Sequence, residues 1–176
     1  MRQRVFVMVL ILTAVAVAGF AQKLSVGSSP ASIDGVISAN EYSLRLPLGK
    51  MTVYLNRTAD TLDMAIAAPT TGWVAVGYGS DRMDGARMFL GAVRDGKATL
   101  SEQLGAGHGH NDLANPPEVS YAAKEDGEST VLEIAFKASD VISTNQRELM
   151  ILAAYGASDN IWSYHSGRDR ATIELK

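Results

Sequence analysis

The sequence predicts an all-β domain built as an antiparallel β-sandwich. Short stretches of alternating apolar and polar residues recur along the chain, and turns with Gly, Asp or Asn separate them. Helical periodicity is weak, and the chain has no heptad or internal repeat. We expect roughly six to nine strands, a number that favours a sandwich over a long barrel.

The chain begins with a predicted signal peptide over residues 1–21. Two arginines provide a positive start, and residues 5–20 are apolar and uncharged. Small residues allow cleavage after Ala18 or Ala21. The apolar run is shorter than the roughly 20 residues of a membrane helix. We therefore expect an exported protein, periplasmic or secreted, with a single domain over 22–176 and no membrane anchor after cleavage.

Eight further stretches predict the strands of this domain. In chain order they are KMTVYL, TLDMAIAA, GWVAVGYG, RMFLGAV, EVSYAAK, STVLEIAF, ELMILAAYG and ATIELK. The turn EDGE predicts a hairpin between the fifth and sixth, and the continuous apolar ELMILAAYG predicts a strand buried on both faces. A short helical turn is expected after Ser139. The longest predicted loop runs from Leu104 to Glu118.

Composition excludes several classes of function. The net charge is −3 and no Lys/Arg cluster is present, so we expect no nucleic-acid partner. The absence of Cys excludes thiol catalysis, iron–sulfur clusters, Cys-ligated zinc and covalently attached haem. The motifs G-x-S-x-G, H-E-x-x-H and the P-loop are absent. No nucleophile–base pair can be named, so an enzyme is the least supported class of function.

The three histidines are candidate metal ligands. His108 and His110 lie in GHGHND, and Asp112 could join them to hold copper or zinc. The alternative for this segment is a solvated, Gly-rich loop. His165 lies in YHSGRDR, where local context alone favours a partly buried histidine bonded to backbone.

Three segments in order resemble a DOMON domain. They are ASIDGVISANEY, GWVAVGYGSDRMDGARMFLGAV and YHSGRDRATIEL, and the resemblance covers about residues 33–175. It implies an immunoglobulin-like β-sandwich. One branch of the family binds b-type haem non-covalently and moves electrons, as in the cytochrome domain of cellobiose dehydrogenase. Another branch is thought to bind sugars or other small ligands.

The resemblance implies two axial ligands for haem iron. In the haem branch these are a Met in the loop after the Gly-Trp strand and a His near the C-terminal end, and Met83 and His165 match these positions. A thioether and an imidazole fill both axial positions, which suits electron transfer rather than catalysis. Met88 is a rival to Met83, but it lies within a strand pattern.

Residues that flank the two ligands in sequence are expected to form the haem pocket. The aromatic candidates are Trp73, Tyr78, Trp162 and Tyr164. Arg168 is the favoured cation for the haem propionates, ahead of Arg82, Arg87 and Arg170. The expected partner is a separate redox protein.

The alternative function is a non-redox module that binds a carbohydrate or another small ligand. Trp73, Trp162 and Tyr164 would then stack on the ligand's apolar faces. The expected hydrogen-bonding residues for its hydroxyls are Asp81, Asp84 and Asn111.

Overall fold

The computed structural model describes residues 22–113, 116 and 118–176. The predicted signal peptide, residues 1–21, lies outside the described residues. Within the described residues, no helix has the length and apolar character needed to cross a membrane.

Twelve strands and one short 3₁₀ turn make up the described part of the chain. The strands are β1 (Lys23–Leu24), β2 (Leu44–Leu48), β3 (Met51–Arg57), β4 (Thr61–Ala68), β5 (Val74–Tyr78), β6 (Arg87–Arg94), β7 (Lys97–Ala106), β8 (Gly109–Asp112), β9 (Ser120–Asp126), β10 (Ser129–Lys137), β11 (Glu148–Gly156) and β12 (His165–Leu175). The 3₁₀ turn, Ala138–Asp140, is the short helical turn that the sequence predicts, and the β9–β10 hairpin is confirmed.

The strands form two sheets that pack face to face. The seven-stranded sheet has the order β1-β12-β11-β5-β6-β7-β8, and the five-stranded sheet has the order β2-β3-β4-β10-β9. Neighbouring strands are antiparallel except for β1 and β12. The antiparallel β-sandwich is therefore confirmed. The expected strand number was too low, because β1, β2, β7 and β8 lie at or next to sheet edges, where a strong apolar alternation is not required.

Strand alternation separates the core from the outer face of the seven-stranded sheet. On β5, Val74, Val76 and Tyr78 point into the core between the sheets, and Ala75 belongs to a separate apolar cluster on the outer face. This confirms the two faces predicted for GWVAVGYG. On β11 the buried residues alternate with half-buried ones, so the expectation that both faces are buried is wrong.

The segment that precedes β2 is fixed by two buried carboxylates on the outer face of the five-stranded sheet. Glu133 accepts hydrogen bonds from the backbone N–H groups of Asp34 (3.0 Å) and Gly35 (2.6 Å). Asp63 accepts one from the N–H group of Ala31 (2.7 Å). Both carboxylates belong to fully buried residues. They therefore hold the IDG turn of the sequence against this sheet.

The predicted long loop after Leu104 begins as regular structure. β7 continues to Ala106, and β8 pairs back onto it with Gly105 opposite His110. The expectation of a loop from Leu104 is therefore wrong for the first part of this segment. Its exposed, polar residues conceal the strand because the hairpin lies at the edge of the sheet.

Candidate functional site

A cleft of about 460 Å³ opens on the outer face of the seven-stranded sheet. Its floor comes from the outward-facing residues Ala75 and Gly77 of β5, Met88 of β6, and Leu152 and Ala154 of β11. Gly77 pairs with Met88 on one side and with Leu152 on the other. The alanines and the glycine keep the centre of this floor low, so the sheet presents a shallow apolar surface.

Met83 reaches this cleft from the loop between β5 and β6. The loop is closed by its own turn chemistry: the Ser80 hydroxyl donates to the Asp84 carbonyl (2.9 Å) and the Ala86 N–H to the Met83 carbonyl (3.0 Å). Gly85 adopts a φ of 79° within this turn. The side chain of Met83 is half-buried and packs against the apolar cluster of the outer face. A soft side chain in a polar turn thus points at the sheet.

Gly105 of β7 fixes the position of the Met83 backbone. A Cβ atom at Gly105 would lie 1.6 Å from the Met83 carbonyl oxygen, so only glycine allows this approach. The Gly105 N–H donates to the Ala86 carbonyl (2.8 Å), and the Gly85 N–H donates to the Gly105 carbonyl (3.0 Å). The Met83 loop is thereby docked onto the sheet.

His165 lines the same cleft from the start of β12. It is paired with Gly156, where the register of β11 and β12 shifts. Its ring is half-buried, and the Tyr164 ring lies 4.3 Å away at a tilt of 40°. The structure therefore brings Met83 and His165, which are far apart in sequence, to one cavity.

Charged side chains border the cleft on the β12 side. Arg168 and Arg170 line it, together with Asp81 and Arg82 from the Met83 loop. Arg170 is engaged with Asp81, donating to its carbonyl and lying 3.4 Å from its carboxylate. Arg168 forms no ion pair within the described part of the chain. It is therefore available to a negative group in the cleft.

Trp73 and Tyr78 lie away from the cleft surface. Trp73, only 4 % exposed, belongs to the apolar cluster of the outer face, and its Nε1 donates to the Ser163 hydroxyl (3.0 Å). Tyr78 lies on the other face of the sheet, stacked on Phe136 in the core. Burial raises the pKa of Tyr78 to about 12. The expectation that Tyr78 lines the pocket is therefore wrong. Alternate residues of a strand point to opposite faces, and Tyr78 is an odd number of residues from Trp73, so the two side chains lie on opposite faces of the sheet.

Trp162 and Tyr164 are exposed, at 59 % and 82 %, and do not line the cleft. The Trp162 ring stacks on the His110 ring at 4.9 Å with 9° between the planes. This stack joins the connection between β11 and β12 to the β7–β8 hairpin. Both aromatic side chains remain accessible from solvent beside the site.

The alternative metal ligands are not assembled into a site. The His110 imidazole is paired with the Gln103 carboxamide, whose Nε2 donates to the Asp112 carboxylate (2.8 Å). Burial lowers the pKa of His110. His108 is exposed on the hairpin turn. Across the described residues, no group of three His, Asp or Glu side chains has the arrangement of a metal site.

Sequence reasoning missed the floor of the cleft and the glycine beneath Met83. A signal for the floor existed, because the alternation of β11 puts Leu152 and Ala154 on one face. No local signal marks Gly105, since its importance arises from the approach of a loop some twenty residues earlier in the chain. Gln103, which is fully buried beside His110, was missed for the same reason.

Comparisons with known proteins show a shared fold. No family model and no curated protein matches the sequence. The cytochrome b domain of pyranose dehydrogenase from Coprinopsis cinerea is 12% identical, with a TM-score of 0.56 over 70% of this chain and 76% of that chain. The cytochrome domain of cellobiose dehydrogenase from Myriococcum thermophilum is 11% identical, with a TM-score of 0.56 over 72% and 75%.

A carbohydrate-binding module is similar in fold as well. The family 9 module from Caldicellulosiruptor kristjanssonii, solved with cellotriose, is 12% identical, with a TM-score of 0.52 over 88% of this chain and 93% of that chain. Cytochrome domains and a carbohydrate-binding module thus share this sandwich, and the fold alone does not decide between their activities.

Proposed function

We propose that this chain is a b-type haem-binding electron-transfer module of the DOMON family, exported to the periplasm or secreted. Met83 and His165 are its proposed axial ligands. The observation that carries the proposal is that both side chains line one cleft on the outer face of the seven-stranded sheet. Support also comes from the fold shared with the cytochrome domains of pyranose and cellobiose dehydrogenase.

The residues of the cleft fit this prosthetic group. A thioether and an imidazole are the donor set of cytochromes with Met/His ligation. The floor of Ala75, Gly77 and Ala154 suits an apolar ligand, and the volume of about 460 Å³ lies within the range of cofactor pockets.

The chain's own residues would bind and orient the group. Arg168 supplies a cation at the rim for a propionate, where a charge-assisted hydrogen bond is stronger than a neutral one. The docking of the Met83 loop on Gly105 holds the thioether without help from the ligand. Bound haem would supply a one-electron iron couple, and a Met ligand raises its potential.

This assignment is one of electron transfer rather than catalysis. If Met83 and His165 both held the iron, the group would supply electron transfer and a substrate would have no place at the metal. The module then needs a separate redox protein as its partner, and the exposed Trp162 and Tyr164 stand beside the site where such a protein would approach.

Absorption spectroscopy after reconstitution with haem tests the proposal. The wild type should show a sharp Soret band and the split reduced bands of low-spin iron. His165→Ala should abolish low-spin binding, and Met83→Leu should convert it to a high-spin spectrum. Met88→Leu is the comparison variant: Met88 also lines the cleft, and its replacement by another apolar side chain should retain the low-spin spectrum. Protein that takes up no haem, or equal spectra for Met83→Leu and Met88→Leu, would refute the proposal.

A second candidate function is a non-redox module for carbohydrates. The observation that favours it is the pair of exposed aromatic side chains, Trp162 and Tyr164, on a fold shared with a module solved with cellotriose. Calorimetry with cello-oligosaccharides tests this function. Trp162→Ala should then remove binding, and Tyr121→Ala, which alters an exposed aromatic on the other sheet, should not. Absence of any sugar binding together with haem uptake excludes it.

A further inference from the structure

A second cavity, of about 530 Å³, lies at one end of the sandwich. Its walls come from the end of β3 with the turn that follows, the connection between β10 and β11, and the end of β12. None of its lining residues lines the cleft that holds Met83 and His165. The two cavities are therefore separate sites.

This cavity is positively charged although the whole chain carries a net charge of −3. Its charged lining side chains are Arg57, Arg147 and Lys176, and no Asp or Glu is among the described lining residues. In the described part of the chain, none of the three forms an ion pair. Three cationic side chains thus face a common space, and the described lining residues include no acidic side chain.

The guanidinium of Arg57 has unsatisfied hydrogen-bond donors. Its Nε is buried and has no hydrogen-bond partner among the described residues. Its Nη1 donates to the main-chain oxygen of Lys176 at 3.5 Å, a weak contact that leaves most of the guanidinium donors unused. A buried donor without an acceptor destabilises a fold, so such a group calls for a partner, whether a water molecule, an ion or a ligand.

Neutral donors complete the lining. Ser139, Ser143, Thr144 and Asn145 contribute hydroxyl and amide groups along the connection between β10 and β11. The Gln146 side chain is engaged within that connection, since it accepts from the Ser143 N–H (3.2 Å) and donates to the Glu148 carbonyl (2.8 Å). The connection is therefore tied down by its own hydrogen bonds.

We propose that this cavity binds a small oxyanion, a phosphate or carboxylate group, through Arg57 and Arg147. The planar guanidinium matches two oxygens of either group, and the anion supplies acceptors for the guanidinium donors that Arg57 leaves unused. Lys176 adds a point charge, and the hydroxyl groups of Ser143 and Thr144 donate to the remaining oxygens. The positive charge of the cavity disfavours cations.

Thermal unfolding and calorimetry with inorganic phosphate test this proposal. At constant ionic strength set with sodium chloride, phosphate should raise Tm saturably and bind with one-to-one stoichiometry. Arg57→Gln should weaken binding by at least about tenfold, because the charge-assisted bonds from the guanidinium are lost. Arg57→Lys, which keeps the charge, should also weaken it, since an ammonium group lacks the planar pair of donors that matches two oxygens. Acetate in place of phosphate distinguishes a carboxylate site from a phosphate site.

Arg94→Gln is the matched control, because it removes an arginine charge from the exposed turn after β6 and should leave binding unchanged. Circular dichroism confirms that each variant is folded. A Tm that responds to neither phosphate nor acetate beyond the effect of chloride would overturn the proposal. Equal affinity in Arg57→Lys and Arg94→Gln would overturn it as well. Haem binding at the cleft is read separately by absorbance, so either proposal can fail alone.

Discussion

Gly105→Ala should displace the loop that carries Met83. The variant therefore tests whether the packing of this loop on β7 positions the proposed ligand. The added Cβ would lie 1.6 Å from the Met83 carbonyl oxygen, whereas real Cβ contacts stay beyond 3.0 Å. The loop must therefore retreat by about 1.4 Å. That movement strains the bonds from Gly105 to Ala86 and from Gly85 to Gly105, which measure 2.8 and 3.0 Å.

The cost follows from these contacts. Two backbone hydrogen bonds contribute about 1 kcal/mol each, and the steric strain adds a similar amount, so we expect a loss of about 2–3 kcal/mol in the free energy of unfolding. For a domain of this size such a loss lowers Tm by about 5–10 °C. In haem-loaded protein the spectrum should also shift from low spin toward high spin, because the thioether of Met83 is moved.

Gly96→Ala is the control for this effect. Gly96 lies in the turn between β6 and β7, has a φ of 72°, and has open space where a Cβ would be placed. Its replacement should cost only the strain of a left-handed alanine, about 1 kcal/mol, and leave the spectrum unchanged. If Gly105→Ala were no less stable than Gly96→Ala, with the same spectrum, the proposed docking of the Met83 loop would be refuted.

Three further comparisons probe the buried polar groups. Glu133→Ala should cost about 3 kcal/mol in chemical denaturation, because buried backbone N–H donors lose their acceptor. Glu41→Ala, whose two accepted bonds are exposed, should cost less than about 1 kcal/mol, and equal losses would contradict this reasoning. Burial raises the pKa of Glu102, so the native state binds this proton more tightly than the unfolded state does. Denaturation from about pH 4 to pH 8 should therefore show the wild type losing stability relative to Glu102→Gln as pH rises, and a parallel pair of profiles would be the contrary result. Trp73→Phe should destabilise the fold by about 2 kcal/mol and Ser163→Ala by about 1 kcal/mol, since only the first removes ring volume as well as the shared hydrogen bond; an equal Tm for both would contradict it.

The sequence predicts the interior strands well, because their burial imposes a regular pattern. β5 is an example: Val74 and Val76 face the core, and Ala75 faces outward, as alternation requires. The same pattern places Tyr78 in the core, and only the proximity of Tyr78 to Met83 in sequence suggested otherwise. Closeness in sequence is thus a poor guide to a shared site. Whether two residues of a strand are separated by an even or an odd number of positions decides whether their side chains lie on the same face of the sheet.

Local sequence patterns do not predict the strands at a sheet edge or the close contacts between distant segments. The β7–β8 hairpin is polar because its edge strand needs little burial, so GHGHND resembles a loop. Gly105 is required by a backbone that comes from the β5–β6 loop, a contact that exists only after the sheet has formed. The cavity around Arg57 is likewise lined by three segments that are distant in sequence, and no sequence motif predicts it.

The two outer faces of the sandwich differ in what covers them. On the five-stranded sheet, the buried carboxylates of Asp63 and Glu133 bind the segment before β2, so the chain covers this face with its own residues. On the seven-stranded sheet, small outward residues leave the cleft that Met83 and His165 share. The proposed ligand-binding cleft and the carboxylates that hold the segment before β2 therefore lie on opposite faces. Loss of Glu133 should lower Tm without changing the spectrum of haem-loaded protein, whereas a change at Gly105 should alter both, because Gly105 contacts the loop of the proposed ligand Met83.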